Sequence, residues 1–270
     1  MIIWVIGMVK NESDLIGHNL DHLFSEGIHG ATFLNNLSED DTSEVLLSHG
    51  AEVITDPVLA YRQSEKMTEL AHLVADKHGA DWIIPVDADE IWSSTVSDKD
   101  KSLTIYETLS SISENIVTAK VFNHFATGED TVDQNPFLRM PWRWSTAFGP
   151  KIAVRYDKSL NIGFGNHTVS RNGAKINDKV LQVRHFPYRS LEQLKFKITQ
   201  GAAALKAAGV KTAWTNYYDA WMKEGDSCIN EIWSNFYFPN PSTEPQMTLS
   251  GFHKFHEGQL VYDPAPIFHS

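Results

Sequence analysis

The feature that most constrains this chain is a fourfold alternation in its first ninety residues. Ile2-Ile3-Trp4-Val5-Ile6 is a continuous apolar run, as expected of a strand buried on both faces. Ile16, Leu20, Leu23 and Phe24 then repeat at helical spacing, and Gly27 supplies a stop. Ala31-Thr32-Phe33-Leu34 predicts a second strand, followed by a polar turn over Asn35 to Thr42 and a short helix ending near Gly50. Glu52-Val53-Ile54-Thr55 predicts a third strand. Met67, Leu70, Ala71, Val74 and Ala75 then form one helical stripe closed by Gly79. Trp82-Ile83-Ile84-Pro85-Val86 predicts the fourth strand, which runs straight into Asp87-Ala88-Asp89-Glu90. That order predicts a mostly parallel sheet. Ligands of such sheets bind outside the carboxyl ends of the strands, and the acidic cluster sits at such an end.

Composition narrows the function. Hydrophobic residues make up 42% of the 270, and charged ones 21%, so a packed globular α/β chain is expected rather than disorder. With 23 Lys and Arg against 34 Asp and Glu, the formal charge is −11, which argues against a general nucleic-acid binder. A few local cations and a metal ion would still admit phosphate ligands. Cys228 stands alone, so neither an intrachain disulfide nor a cysteine-based zinc site is available. The apolar run Met1 to Val9 is too short to span a bilayer and has no basic residues ahead of it. A cytoplasmic protein with no integral membrane segment is the expectation.

Beyond residue 95 the pattern is less regular. Ile116 to Phe125, Lys151 to Arg155 and Val180 to Arg184 read as further strands, and Asn161 to His167 as a loop or hairpin. Ser190-Leu191-Glu192-Gln193 has a capping-box pattern and opens a helix carrying Leu191, Leu194, Ile198 and Leu205 on one face, ended by Gly209. Pro239 to Pro245 suggests an irregular tail. The expected division is a catalytic domain over residues 1–190 and a helical C-terminal extension over 191–270 packed on it.

Asp87-Ala88-Asp89 carries the most chemistry. Two carboxylates one residue apart repel unless a cation lies near them, and oxygen ligands favour Mg²⁺ or Mn²⁺. The bland alternative is that these acids cap the next turn. Their position directly after a buried strand favours the cation.

Four stretches, covering most of residues 1–200, resemble the motifs of family 2-type glycosyltransferases of the GT-A fold, in the subgroup whose D-x-D is followed by Glu. They are Val9-Lys10-Asn11-Glu12, Asn36-Leu37-Ser38-Glu39-Asp40-Asp41-Thr42, Trp82 to Glu90, and His185-Phe186-Pro187-Tyr188-Arg189-Ser190. The resemblance implies a Rossmann-like sheet flanked by helices. It also implies transfer of a sugar from a nucleotide-diphosphate donor to a saccharide or other hydroxyl acceptor, with inversion and with Mn²⁺ or Mg²⁺ as cofactor. Asp89 is then the direct metal ligand, and Asp87 meets the ribose, or the metal through water. Asn11 and Glu12 line the nucleoside pocket, with helix capping as the alternative for either. Asn35 stands where the family usually has Asp; a neutral amide both donates and accepts hydrogen bonds.

Arg62 and Lys66, four apart, are either the positive charge for the diphosphate or a solvated pair. Lys151 and Arg155 are open to the same two readings. His167 and His185 are candidates to complete the metal's coordination. An inverting enzyme needs a base for the acceptor proton, and Asp130, Glu129 and Asp133 occupy the region where the family carries it. Trp142 and Trp144 would face the same way on an extended segment, as a sugar platform or as core. The competing readings are a haloacid dehalogenase-type phosphatase, a nucleotidyltransferase on the same sheet type, and a non-catalytic sugar-binding module. The first lacks its Thr two residues after the second Asp and its first-strand placement. The second lacks its Gly-rich loop after strand one.

Overall fold

A computed structural model describes residues 1–58, 62–98, 101–130, 135–211, 213–234, 237–241 and 259–266. The predicted alternation is present: β1 (Ile3–Val9), α1 (Ile16–Ser25), β2 (Gly30–Asn35), α2 (Thr42–Ser48), β3 (Glu52–Thr55), α3 (Gln63–His78) and β4 (Trp82–Val86). The main sheet continues through β5 (Glu90–Ser94), β6 (Ile116–Asn123), β7 (Phe148–Arg155) and β8 (Leu181–His185), with α4 (Ile105–Ser111) and the short α5 (Pro136–Arg139) in the connections. Among the described residues the strand order is β3-β2-β1-β4-β7-β6-β8-β5, with Ile176–Asn177 added beside β6. The pairs β3-β2, β2-β1, β1-β4 and β6-β8 are parallel; β7 is antiparallel to both neighbours, and β5 to β8. The fourth strand, Trp82 to Val86, is thus interior rather than an edge.

Alternation along the strands splits the core by face. Ile3, Val5 and Val9 of β1 and Trp82, Ile84 and Val86 of β4 pack with Leu20 and Leu23 of α1, Leu46 of α2 and Ile105 and Leu109 of α4. Ile6 and Ile83, on the other face, pack with Met67, Leu70, Ala71 and Val74 of α3. Both faces of the first strands are covered, which is why their apolar runs are continuous. Gly7 is set by close approach: a Cβ there would lie 2.4 Å from the Phe33 ring. Helices on two faces of a mixed, mostly parallel sheet form the GT-A arrangement that the motifs imply.

The C-terminal part adds α6 (Leu191–Ala207), α7 (Ala213–Glu224) and α8 (Asp226–Ser234). Ser190 caps α6 by accepting from the Gln193 amide at 3.1 Å, as the sequence pattern predicts. Leu194 and Ile198 of α6 and Ile229 and Ile232 of α8 join Phe125, Trp144, Phe238 and Leu260 in a third apolar cluster. The chain also returns to the first part as strand. Leu260–Tyr262 pairs with Trp142–Trp144, and the Asp263 carboxylate accepts from Arg143 Nε at 2.5 Å and Arg184 Nη2 at 2.8 Å. No helix among the described residues is long and apolar enough to cross a membrane.

The two tryptophans of the 142–144 segment part company. Trp144 is 1% exposed and meets Phe125 and Phe238 edge-on at centroid distances of 5.7 and 5.4 Å. Trp142 is only half-buried and packs on Tyr262. Trp144 is therefore core rather than one half of an exposed platform. Trp144→Ala is expected to cost about 3–5 kcal/mol, read as a lower urea midpoint. An unchanged midpoint would return Trp144 to the surface.

Candidate active site

Topology gathers the polar motifs. Because β1, β2 and β4 are parallel, Val9, Asn35 and Val86 end at one edge of the sheet. β7 runs the other way, so its first residues, Phe148 to Lys151, begin at that edge. β6 and β8 run with β4 and end there in Asn123 and His185, and β5 starts there with Glu90. In register, His185 lies opposite Glu90 on one side and Asn123 on the other.

The Asp87–Glu90 turn is fastened from inside. Asn19 of α1, fully buried, donates through Nδ2 to the carbonyls of Ala88 at 2.8 Å and Glu90 at 2.9 Å. Glu90 Oε2 accepts from the Asp87 amide at 3.2 Å. The Lys151 ammonium lies 2.5 Å from Asp87 Oδ2 and 2.8 Å from Glu90 Oε1. Burial alone would pull that ammonium's pKa down, but the two carboxylates outweigh it and hold the pKa above its ordinary value. Burial pushes the Glu90 carboxyl up, against the pull of Lys151. Asn166, held at φ 59°, donates to Asp87 Oδ1 at 3.3 Å. Asp87 is therefore engaged by Lys151 and Asn166.

Asp89 faces a different set. It is 4% exposed; its Oδ2 pairs with Lys197 of α6, and its Oδ1 is 3.5 Å from His185 Nε2. Burial would raise the Asp89 carboxyl, but Lys197 and His185 overcome it and hold the group well below the usual carboxylate range. His185 Nδ1 lies 2.8 Å from Asn123 Oδ1. An amide oxygen only accepts, so Nδ1 carries a hydrogen and Nε2 is the ring nitrogen turned toward Asp89. Beside this pair, Arg189 donates to Glu12 Oε2 at 2.8 Å and to both oxygens of Asp14 at 2.9 and 3.0 Å. Burial pushes the Glu12 carboxyl up, opposed by Lys197 and Arg189.

The first two motifs close on each other. The amides of Asn11, Glu12 and Ser13 donate to Ser38 Oγ, Thr42 Oγ1 and Asp40 Oδ2 at 3.0, 2.9 and 3.2 Å. Asn11, at φ 54°, accepts the Glu39 amide, so it braces the second motif. Asn35 bonds Ser43 Oγ and the Ser38 amide.

The remaining candidates are spread more widely. Arg62 pairs with Glu65, and Lys66 with Asp56. His167 donates through Nδ1 to the Pro150 carbonyl at 2.7 Å, and burial pulls its imidazole below the ordinary value. Asp130 Oδ1 accepts from Thr127 Oγ1 at 2.6 Å, and burial raises its carboxyl. The Glu129 amide donates to Thr127 Oγ1 at 3.2 Å. Asp133 lies outside the described residues. Among those described, no three His, Cys, Asp or Glu side chains converge as a metal-binding group.

Sequence reasoning missed Lys197, Asn19 and Asn123. For Lys197 a signal existed: it sits between Leu194 and Ile198, the buried stripe of a capped amphipathic helix. Asn19 and Asn123 are ordinary amides in regular elements, and only tertiary contact shows their use.

No family model matches the chain, and no curated protein sequence does. Among solved structures it is similar to glucosyl-3-phosphoglycerate synthase from Mycobacterium tuberculosis, in complex with Mn²⁺, UDP and glucosyl-3-phosphoglycerate. That match has 17% identity, covers 78% of this chain and 81% of the other, and has a TM-score of 0.40. It is also similar to S. aureus TarS 1-349, with 10% identity, 91% and 85% coverage and a TM-score of 0.41.

Two outcomes test the buried polar groups. Lys151→Met leaves Asp87 and Glu90 facing each other without a cation and should cost about 3–5 kcal/mol in denaturant melts. His124, buried with Nδ1 on the Met140 carbonyl, is pulled by burial from 6.5 to about 3. The unfolded chain therefore binds a proton between those values that the folded one refuses. Stability should fall as pH drops from 6.5 toward 3, by up to about 1.4 kcal/mol per unit. His124→Asn, which keeps an N–H for Met140, should flatten that part of the profile; parallel profiles would show that His124 does not set it.

Proposed function

We propose that the chain is an inverting glycosyltransferase of the GT-A, family 2 type, moving a sugar from a nucleotide-diphosphate donor to an acceptor hydroxyl. One observation carries this reading: four family-like motifs, far apart in sequence, meet at one edge of the sheet. Arg189 of the fourth grips Glu12 of the first. The first donates its amides to the second, and Asp89 of the third faces His185 of the fourth. Apolar packing alone gives no reason for these polar positions to converge.

The donor set suits Mn²⁺ or Mg²⁺. A carboxylate oxygen and an imidazole nitrogen face one locus, and Asn123 orients the ring from behind, as outer partners of metal-bound histidines do. When bound there, the ion supplies positive charge to the departing diphosphate. Asp87 keeps its orientation through Lys151 and Asn166 and is assigned to the ribose. Asn11, Glu12 and Asn35 form the wall of the nucleoside site. With Arg62 and Lys66 already in ion pairs, that pair is not assigned to the diphosphate. His167, bonded to Pro150, is assigned to the wall rather than to the ion.

Asp130 is the proposed base. Its raised carboxyl pKa suits proton acceptance from a sugar hydroxyl. The Gly128 amide ties this loop to the Phe238 carbonyl at 3.1 Å, and a Cβ at Gly128 would lie 2.3 Å from the Pro239 carbonyl oxygen. A saccharide acceptor, a cytoplasmic location and a domain boundary near residue 190 belong to the same proposal.

Calorimetry with UDP and GDP, in Mn²⁺ and in EDTA, tests it. Binding should require the ion, and Asp89→Asn should weaken the ion-dependent part by about 10–100-fold. Asp130→Asn should lower kcat on the order of 100-fold or more with donor binding retained. Equal affinity in Mn²⁺ and EDTA, or no nucleoside diphosphate released from any nucleotide-sugar, would sink the reading.

A further inference from the structure

Both carboxylates of the D-x-D already have a cation, and the two cations differ in kind. Lys151 is 5% exposed and clamped between Asp87 and Glu90. Lys197 is 26% exposed, reaches Asp89 from the outer helix α6 on a four-carbon stem, and also donates to the Pro187 carbonyl at 3.1 Å. An ammonium on such a stem is a movable point charge. It sits on the one carboxylate that faces His185.

We propose that Lys197 is a stand-in cation. It holds Asp89 while no donor is present, yields that carboxylate to a divalent ion when a nucleoside diphosphate arrives, and turns its ammonium to the diphosphate. This rests on the transferase reading above.

The charges favour such an exchange. Asp89 and its neighbours Glu12 and Asp14 set three carboxylates against two cations, Arg189 and Lys197. Arg189 is committed to Glu12 and Asp14, so Lys197 is the lysine or arginine that compensates Asp89, with His185 beside it. A divalent ion on Asp89 Oδ1 and an ammonium on Oδ2 would repel across a few ångströms in a poorly solvated site. One must leave. If the ion came alone, Lys197 would lose its ion pair and keep only the field of Glu12, which Arg189 already grips, whereas a diphosphate supplies a full counter-charge. Ion and nucleotide should therefore bind cooperatively, with Lys197 as the coupling element, and the coupling must be reciprocal.

Mn²⁺ binding, followed by the EPR signal of the free ion, gives a readout independent of turnover. In the wild-type protein Mn²⁺ alone should bind weakly, and saturating UDP or GDP should tighten it at least about tenfold. Lys197→Met should bind Mn²⁺ alone about tenfold more tightly and lose most of the nucleotide's effect. Lys197→Arg should keep the wild-type pattern, and His185→Ala in the Lys197→Met background should abolish the gained affinity. Lys197→Gln serves if the Met variant melts early.

Equal Mn²⁺ affinity in wild-type and Lys197→Met protein without nucleotide, or no Mn²⁺ binding in either, overturns the proposal. If nucleotide binds with a metal requirement while Lys197→Met leaves Mn²⁺ affinity unchanged, the exchange fails and the transferase reading stands. If Lys197→Met gains His185-dependent Mn²⁺ affinity but no nucleotide binds, the transferase reading fails and the hold of Lys197 on the ion's locus stands.

Discussion

A buried ammonium underlies the whole edge of the sheet. Asp87 and Glu90 leave β4 and enter β5 within four residues, and two carboxylates that close cannot both stay charged without compensation. Lys151 supplies it from β7, a strand contributed by the second half of the chain. The pairing of β7 with β4 is thus electrostatic as well as a backbone ladder. The turn can then sit against Asn19 with its carbonyls satisfied, leaving Asp89 to face His185. Breaking a buried pair of this kind is far more costly than never having had it.

The first half of the fold was legible because its physics is local. Three apolar runs and two helical stripes specify strands covered on both faces, and Gly27 and Gly79 mark stops that the structure places at positive φ. The second half was less so. An antiparallel β7 between two strands that run with β4 has no local signature, since an apolar run carries no direction. The helix from Ser190 was readable from its cap; the strand pairing of Leu260–Tyr262 with Trp142–Trp144 depends on contacts over 100 residues away.

For the site, residue types were readable and partnerships were not. The motif acids Asp87 and Asp89 are one residue apart in sequence yet belong to different networks, because residues 87–89 form a turn, where the rule that alternate positions share a face no longer holds. Lys66 and Arg62 look cationic in sequence, but each has an acidic neighbour in space. Histidines divide in the same way. His124 lies one residue beyond the β6–β8 ladder, and His185 is the ladder's last residue. One is sealed under Phe186, and the other emerges where the ladder stops.

The pairing of His185 with Glu90 and Asn123 has a consequence for how such a chain can vary. Side chains on a strand alternate faces, so sliding β8 by a single position would turn His185 away from Asp89 and put Arg184 or Phe186 in its place. Insertions and deletions are therefore tolerable in the turns before Leu181, where length is absorbed before the ladder begins, and not within the five residues that follow. Lineages carrying this site can lengthen their loops freely while the count from Leu181 to His185 stays frozen.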